Sequence, residues 1–445
     1  MSTPPSPLPR LTVLGTGYLG ATHAACLAEL GYDVLGLDVD AHKVARLSAG
    51  EVPFYEPGLA EVLQRNIAAG RLRFTTSFAE VGAFGDVHFI CVGTPQKSGE
   101  YAADVQQVDA CVAALLPHLT DGALVVGKST VPAGTTARLA EWIDREAPAG
   151  ADIGVAWNPE FLREGFAVHD TLQPDRLVIG IRREQDEATL RAVYAPLLAA
   201  DVPLVVCDFA TAELVKVAAN AFLATKISFI NAMAEVCEAT HADVTALSKA
   251  LSYDTRIGGR FLHAGLGFGG GCLPKDIRAF MARAGELGVD QALSFLREVD
   301  AINLRRRARV VDLARELLDG TFAGARVAVL GAAFKPDSDD IRDSPALDVA
   351  ESAYRHGALV TVYDPRAVAN ARMRYPDLGY ADTAADALAG ADLVLHLTEW
   401  REFRALDPAV VKTLVAAPRI VDGRNALDPV AWRAAGWTYR ALGRP

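Results

Sequence analysis

The sequence contains no C-x-x-C pair, no low-complexity tract and no excess of positive charge. Its six cysteines are scattered and fit neither a disulfide framework nor a zinc site, so we expect no bound metal and a reducing, cytoplasmic compartment. We find no run of about 18 apolar residues, the length that a membrane span needs. Since 44 basic residues face 55 acidic ones, neither nucleic acid nor an anionic membrane is an expected partner.

What is present is the composition of a globular protein, with 51% hydrophobic and 22% charged residues. The length of 445 residues predicts two or three domains. The first ten residues hold four prolines and no apolar segment. We therefore expect residues 1–10 to form a disordered tail, not a signal peptide.

The segment after this tail predicts strand, glycine turn, helix, strand and acid. A buried strand, Leu11–Leu14, runs into Gly15–Gly20 (GTGYLG), a helix follows, and a second strand, Val34–Leu37, ends at Asp38. Such a turn binds pyrophosphate at the helix N-terminus, and an acid about 20 residues on binds the adenosine ribose. The charge of Asp38 repels a 2′-phosphate, which favours NAD over NADP, although Lys43 leaves NADP open. The predicted cofactor contacts here are Gly15, Gly17, Tyr18, Leu19, Gly20, Asp38 and Lys43.

Three further strands of this first region end in polar residues. Strands over 86–92 and 122–126 are followed by CVGTP and KSTVP, and a strand over 152–156 precedes NPEFLREG. Ligands of open α/β sheets bind beyond such carboxyl ends. Glu160 and Glu164 could transfer protons or hold water there. Ordinary turn chemistry and a solvated helix start are the alternatives.

Two long helices are predicted in the middle of the chain. The first spans 212–240, and Lys216 and Asn220 share one of its faces among apolar neighbours. They either extend to the surface or point into a site, and Glu213 is an alternative i,i+3 partner for Lys216. The second helix, over 291–318, is predicted as a spacer and a possible dimer contact.

Between these helices lies the densest motif of the chain. Five glycines fall within Gly265–Gly271 and end at Cys272, and a helix over 277–287 is predicted after Pro274. A cysteine just before a helix N-terminus is favoured as the thiolate. The alternative is a glycine-rich turn with a small buried side chain.

Charged residues flank this cysteine on both sides. Lys275 adds a positive charge, and Asp276 follows the thiol by four residues, close enough to act beside it. The basic run over 256–263 precedes the motif and suits a diphosphate, with a solvated loop as the alternative.

The last third repeats the strand–helix alternation without G-x-G-x-x-G. We predict strands over 326–330, 360–363, 392–397 and 420–422. Without the fingerprint we expect no second dinucleotide, but Lys335, Arg342 and Arg424 lie at strand ends and could hold a phosphorylated or acidic ligand. The predicted fold is α/β, with two Rossmann-like doubly wound parallel sheets joined by a central helical domain with a long connecting helix.

From Leu11 to about Leu427 the sequence resembles the UDP-glucose/GDP-mannose dehydrogenase family. The motifs, in order, are GTGYLG, CVGTP, STVPAGT, NPEFLREG, ELVKVAANAFLA, GFGGGCLPKD, AFKPDSDDIRDSP, TEWREF and DGRN. The resemblance implies an NAD-binding domain over 11–205, a helical dimerisation domain over 206–305 and a nucleotide-sugar-binding domain over 306–445. It also implies a homodimer in which Arg256 reaches the neighbouring site.

The same resemblance implies that two NAD oxidise the C6 alcohol of a nucleotide sugar, here UDP-glucose, to a carboxylate. Cys272 would hold the sugar as a thiohemiacetal and then a thioester, and Lys216 would stabilise the oxyanion. The implied catalytic residues are Cys272, Lys216, Asn220, Asp276, Glu160 and Thr130. Further implied cofactor contacts are Thr94, Thr130, Glu164, Lys275 and Arg342. The implied substrate contacts are Glu160, Phe161, Leu162, Arg163, Glu164, Lys216, Asn220, Arg256, Phe261, His263, Gly267, Phe268, Gly269, Phe334, Lys335 and Arg424.

Two residues depart from the pattern of many relatives, which have serine where this chain has Gly271 and phenylalanine where it has Leu273. The run CLPKD also occurs in GDP-mannose dehydrogenases, so GDP-mannose or another nucleotide sugar is the alternative substrate. NPEFLREG, DDIRDSP and TEWREF are closer to the UDP-glucose branch. Two other functions remain open: a two-electron dehydrogenase with a structural Cys272, and an NAD-binding regulator without turnover.

Overall fold

The computed structural model describes residues 8–148 and 150–445, which contain fourteen strands and nineteen α-helices. The chain divides into two compact units, Met1–Ala219 and Asn220–Pro445. The predicted segment 206–305 is divided between these units, and the three domain boundaries stay a prediction.

The first unit is built on one eight-stranded sheet. Its strands are β1 (Leu11–Leu14), β2 (Val34–Leu37), β3 (Leu72–Thr75), β4 (Val87–Ile90), β5 (Leu124–Gly127), β6 (Gly154–Trp157), β7 (Leu177–Gly180) and β8 (Leu204–Cys207). Its helices are α1 (Tyr18–Glu29), α2 (Ala41–Ser48), α3 (Leu59–Ala68), α4 (Phe78–Phe84), α5 (Gln106–Leu115), α6 (Thr135–Glu146), α7 (Ala167–Leu172), α8 (Glu184–Val193) and α9 (Ala195–Leu198). A 3-10 turn follows α5 at Leu116–His118.

The central strands of this sheet are buried on both faces. The strand order is β3-β2-β1-β4-β5-β6-β7-β8, and β1 pairs in parallel with both β2 and β4. Successive residues of β1 therefore serve different cores: Val13 packs with Phe89, and Leu14 with Leu35. Because the chain order reverses between β1 and β4, a crevice for a ligand opens at their carboxyl ends.

One strand pair departs from the predicted parallel sheet. Trp157 of β6 pairs with Gly180 of β7 in antiparallel orientation, while β7 and β8 are again parallel. The connection between β6 and β7 contains α7 and returns to the sheet at the end where β6 stops. The loop after β6 therefore stays at the carboxyl edge of the sheet, where it carries NPEFLREG.

The long helix α10 (Phe209–Thr240) contains the boundary between the two units. Within the described residues it is the one helix that is long and apolar enough to cross a membrane, which the search for apolar runs did not find. Of its most apolar 18-residue stretch, 44% is buried inside the protein. A core helix of a soluble protein has the same length and composition, so this is weak support for a membrane span.

The second unit combines helices with a six-stranded parallel sheet. The helices are α11 (Val244–Ser252), α12 (Leu273–Glu286), α13 (Phe295–Leu317), α14 (Pro345–Arg355), α15 (Val368–Arg374), α16 (Ala384–Leu388), α17 (Arg401–Arg404), α18 (Pro408–Lys412) and α19 (Pro429–Ala434). The strands are β9 (Arg326–Leu330), β10 (Leu359–Tyr363), β11 (Gly379–Tyr380), β12 (Leu393–His396), β13 (Arg419–Asp422) and β14 (Thr438–Ala441). Their order, β11-β10-β9-β12-β13-β14, repeats that of the first six strands.

Two predicted segments end differently in the structure. The helix predicted over 291–318 begins as a separate 3-10 turn, Asp290–Leu293, and continues as α13 from Phe295. Residues 1–7 of the predicted tail lie outside the described residues. At the end of that tail, the backbone N–H of Arg10 donates to Asp86 at 2.8 Å.

Candidate active site

The glycine turn after β1 has the shape that a dinucleotide requires. Gly15 has φ +88°, and a Cβ on Gly20 would collide with the carbonyl of Gly15. A Cβ on Gly17 would point into open space. Gly17 is also the N-cap of α1 and provides no side-chain cap. The first amides of α1 can therefore meet a pyrophosphate, and the turn fits NAD.

Asp38 lies buried at the end of β2, where the adenosine ribose is expected. One carboxylate oxygen accepts hydrogen bonds from the backbone N–H of Thr16 at 2.9 Å and from Lys43 Nζ at 2.8 Å. Burial raises the pKa of Asp38, but the bonds from Lys43 and from backbone N–H groups outweigh it, so the pKa is lowered. The other oxygen accepts the N–H of Asp40 at 3.1 Å. The carboxylate is therefore ionised and fixed in place.

The loops after β4 and β5 are bonded to each other. Thr94 Oγ1 donates to the carbonyl of Thr130 at 2.8 Å, and Ser129 Oγ donates to the carbonyl of Val92 at 2.7 Å. Beneath them, Lys128 is buried and donates to Asn158 at 2.8 Å. Burial lowers the pKa of Lys128 to about 8. Two predicted cofactor contacts, Thr94 and Thr130, are thus held together at the carboxyl edge of the sheet.

Glu160 and Lys216 form a buried ion pair in the first unit. Lys216 Nζ lies 2.9 Å from Glu160 Oε1, and the two side chains are only 6% and 13% exposed. Glu160 Oε2 accepts the N–H of Leu162 at 2.6 Å, and Lys216 Nζ lies 5.6 Å from the ring centre of Phe161. The cation therefore points inward, and of the two readings of Lys216, surface or site, the structure supports the site.

A buried glutamate that the sequence interpretation omitted ties this loop to the glycine turn. Glu56 accepts the N–H of Gly165 at 2.6 Å and of Ala167 at 2.7 Å, and it also accepts the hydroxyl of Tyr18. Burial and this contact with Glu56 raise the pKa of Tyr18, which is also near Glu164. Tyr18 thus connects the glycine turn to the end of NPEFLREG.

In the second unit, the glycine-cysteine segment passes close to several neighbours, which explains its glycines. A Cβ on Gly269 would collide with the carbonyl of Asp343, and one on Gly271 would collide with the guanidinium of Arg342. The departure at Gly271 is therefore matched by Arg342, which occupies the space that a side chain would need. The other departure, Leu273, packs against the apolar cluster that contains Phe268.

Three further side chains hold the backbone of this segment. Asn303 is fully buried on α13; it accepts the N–H of Phe268 at 2.7 Å and donates to its carbonyl at 2.9 Å. Arg424 donates to the carbonyl of Gly267 at 2.8 Å, and Asn425 donates to that of Ala264 at 3.1 Å. The helix α13, in which the sequence indicated no chemistry, therefore positions the segment that ends at Cys272.

Cys272 is an exposed thiol at the N-cap of α12, as its place before a helix predicts. One turn later, Asp276 is 2% exposed and accepts from Asn220 Nδ2 at 2.7 Å and from Lys275 Nζ at 2.7 Å. The structure thus brings Asn220, Lys275 and Asp276 together around one carboxylate on the helix that Cys272 caps.

The remaining predicted substrate residues of the second unit fall into two groups. Arg424 is nearly buried, and besides Gly267 it donates to the carbonyls of Leu397 and Phe334 at 2.8 and 3.1 Å, so these hydrogen bonds anchor loops. Lys335 Nζ lies 5.6 Å from the ring centre of Phe334.

Other predicted residues lie at the surface with local partners. Arg256 pairs with Asp254, and Arg163 pairs with Asp170. Arg342 pairs with Asp340 next to Gly271. His263 is exposed.

The second sheet has an acid in the position of Asp38, but its oxygens are fully used within the chain. Asp364, after β10, accepts the N–H groups of Ala332, Ala333, Arg366 and Ala367 and the indole N–H of Trp400. A carboxylate with five such donors has no position left for ribose hydroxyls. The geometry therefore provides one dinucleotide site, on the first sheet.

One dinucleotide turn, a second Rossmann-type sheet and an exposed thiol at a helix start define an NAD-dependent dehydrogenase with two nucleotide-binding sheets. Family models for the UDP-glucose/GDP-mannose dehydrogenase family match residues 9–198 (NAD binding domain), 210–305 (central domain) and 328–429 (UDP binding domain). The chain belongs to this family, as its motifs predict, and it is an oxidoreductase that uses NAD.

Named relatives resemble the chain over nearly its whole length. It is 42% identical to a UDP-glucose 6-dehydrogenase of Pseudomonas aeruginosa and 40% identical to one of Bacillus subtilis, covering 98% of this chain in both and 98% and 97% of the relatives. A solved UDP-glucose dehydrogenase from Pyrobaculum islandicum superposes with a TM-score of 0.91 at 38% identity, with 100% of both chains covered.

Proposed function

We propose that this protein oxidises UDP-glucose to UDP-glucuronate with two NAD and one water, through a thioester on Cys272. The observation that carries the proposal is the exposed thiol at the N-cap of α12, one turn before the carboxylate of Asp276. A dehydrogenase that stops at an aldehyde needs no nucleophile, whereas one that continues to an acid gains from covalent capture of the aldehyde. The names of the relatives support UDP-glucose as substrate.

NAD would be held by the glycine turn, Asp38, Lys43 and Thr94, and it accepts a hydride from C6 in each of the two oxidations. After the first oxidation, the thiolate of Cys272 adds to the aldehyde carbon, and the carbonyl oxygen becomes an alkoxide. Lys216 is proposed to stabilise this charge, because a buried ammonium loses little of its field to water. The second oxidation leaves a thioester, from which water releases the acid and restores the thiol.

Hydrolysis of the thioester requires a placed water and a base. Asn220 and Asp276 are bonded to each other, and we assign them the task of holding that water. Glu160 is proposed to take its proton, with Thr130 as an intermediate contact. Because Glu160 contacts Lys216, the proton acceptor and the oxyanion cation would lie on the same side of the reacting carbon.

Counting reduced cofactor tests the proposal directly. We expect two NADH for each UDP-glucose consumed, with UDP-glucuronate as product and no comparable rate with GDP-mannose in a parallel assay. One NADH per sugar would instead support a two-electron dehydrogenase, and faster turnover of GDP-mannose would transfer the assignment to that substrate. NADH production from no nucleotide sugar would support a regulator without turnover.

Asp38→Ala should weaken NAD binding by about 10- to 100-fold, the loss expected when hydrogen bonds to an ionised group are removed. UDP-glucose binding should stay unchanged, because Asp38 bonds only to groups around the glycine turn. Isothermal titration with each ligand measures both affinities. Equal losses for the two ligands would contradict the ribose role, and Lys43→Met, which keeps the carboxylate, is the companion variant.

We also propose a homodimer formed through the exposed face of α10. Phe222, Phe229 and Val236 are 68%, 48% and 53% exposed and lie seven residues apart, so they form one apolar stripe along the helix. A second copy of this stripe is its proposed partner, and Arg256, whose side chain is 87% exposed, would reach the neighbouring site.

Phe229→Glu should convert the dimer to a monomer, because two like charges would face each other across the paired stripes. Light scattering measures the molar mass directly. Arg256→Ala should keep the dimer but weaken UDP-glucose binding. A monomeric wild-type protein would refute the dimer, and a dimeric Phe229→Glu variant would move its interface away from this stripe.

We propose a cytoplasmic location for the enzyme. None of the six cysteines forms a disulfide in the described chain, which supports a reducing compartment.

A further inference from the structure

Glu213 is a buried carboxylate on α10, three residues before Lys216, with no role in the proposed chemistry. It is 2% exposed. One of its oxygens accepts the backbone N–H and the hydroxyl of Thr136, both at 2.6 Å, and the other accepts the N–H of Gly134 at 2.7 Å. Glu213, which the sequence offered as a partner for Lys216, therefore binds the first turn of α6.

The first turn of α6 depends on this carboxylate for its cap. The N-cap of α6 is Gly134, with φ +98° and no side chain to accept a hydrogen bond. Glu213 supplies the acceptor from another helix. Its negative charge also lies at the positive end of a 12-residue helix, in a buried place where the attraction is weakly screened.

The loop that leads into α6 carries Thr130. The start of this loop is bonded to the end of β4 through Ser129 and Thr94. The end of the loop is bonded to Glu213. The helix that carries Lys216 is thus attached, through Glu213, to the loop that carries Thr130.

We propose that Glu213 is a positioning residue that sets the place of the Thr130 loop relative to Lys216. The inference rests on the proposed function for the roles of Thr130 and Lys216. The hydrogen bonds of Glu213 themselves lie entirely within the first unit.

Glu213→Gln tests this with little change in side-chain volume. The amide directs an NH₂ group at N–H donors, so the loop should shift. We expect kcat to fall about 10- to 100-fold, since misplacing a reacting group by about 1 Å has that effect, while KM for NAD changes less than about threefold. Thr136→Val removes one of the three bonds and should lower kcat less, and Thr136→Ser, which restores the hydroxyl, should recover it.

Ser77→Ala is the matched control. Ser77 caps α4 in the same unit through the N–H of Glu80, and its loss removes a cap without touching the site. Hydrogen exchange measured by mass spectrometry should rise over residues 128–137 in Glu213→Gln and stay unchanged there in Ser77→Ala.

Two results would overturn the inference: a Glu213→Gln variant with kcat within about twofold of the wild type despite faster exchange, or exchange that does not rise at all. The first would leave Glu213 a structural cap only. A wild-type protein inactive on UDP-glucose would refute the proposed function alone, because the exchange measurement needs no substrate and still decides whether Glu213 holds this loop.

Discussion

Cys272→Ala will lower the rate of UDP-glucuronate formation by about three orders of magnitude or more, the size of loss found when a catalytic nucleophile is removed. The thiol is exposed at the start of α12, so an alanine there opens no cavity in the core and the fold should persist. Without the sulfur, no covalent bond holds the aldehyde for the second oxidation. The measurement is acid and NADH formed from saturating UDP-glucose and NAD.

Cys272→Ser separates covalent catalysis from a merely polar requirement. A hydroxyl is a weaker nucleophile than a thiolate, and an oxygen ester hydrolyses more slowly than a thioester. We therefore expect slow turnover and an enzyme-bound sugar ester, visible in the mass of the intact protein. Cys207→Ala, at a half-buried thiol on β8, is the control and should keep activity within about twofold. Acid production by Cys272→Ala at near the wild-type rate would refute the covalent route.

The central strands could be predicted from the sequence because a strand covered on both faces is an unbroken apolar run. β1, β2 and β9 have the predicted bounds. The strands that the sequence interpretation omitted include β3 and β8, which lie at the two edges of the first sheet. Their residues are partly exposed, so their pattern mixes polar and apolar positions and resembles a loop.

In the site, the sequence indicates relations within one turn of chain but not across the fold. Cys272 at a helix start follows from the glycines before it and Pro274 after it. The contact of Glu160 with Lys216 and that of Asn220 with Asp276 each join residues 56 positions apart. Such contacts depend on how strands and helices pack, which periodicity does not specify.

The supporting residues were missed for the same reason. Asn303 lies at a buried position of an otherwise regular helix, and Glu56 lies in a loop between α2 and α3. A polar residue in the buried stripe of a helix is a signal that could have identified Asn303, because a buried amide needs partners. Nothing in the sequence indicates that its partner is the backbone of Phe268.

Lys216→Met will lower kcat about 100- to 1,000-fold, the range measured when one group that stabilises an oxyanion is removed. The ammonium is 5% exposed and contacts Glu160, so it has a fixed place in a site with little water. Methionine keeps the length and the apolar stem but removes the charge. We expect KM for NAD to change little, because Asp38 and the glycine turn are untouched. Steady-state kinetics with both substrates varied gives the two constants.

The same substitution leaves Glu160 without the ammonium that contacts it, and the free energy of unfolding should fall by about 1–3 kcal/mol, as for a buried group that loses its partner. Adding Glu160→Gln removes the uncompensated charge, so we expect stability to return towards the wild type in denaturant unfolding. Turnover should stay at or below that of Lys216→Met. A lysine that only neutralised Glu160 would be dispensable in the double variant, so recovery of turnover there would refute the oxyanion role. A persistent loss in a protein of restored stability would instead place the effect of Lys216 in the transition state.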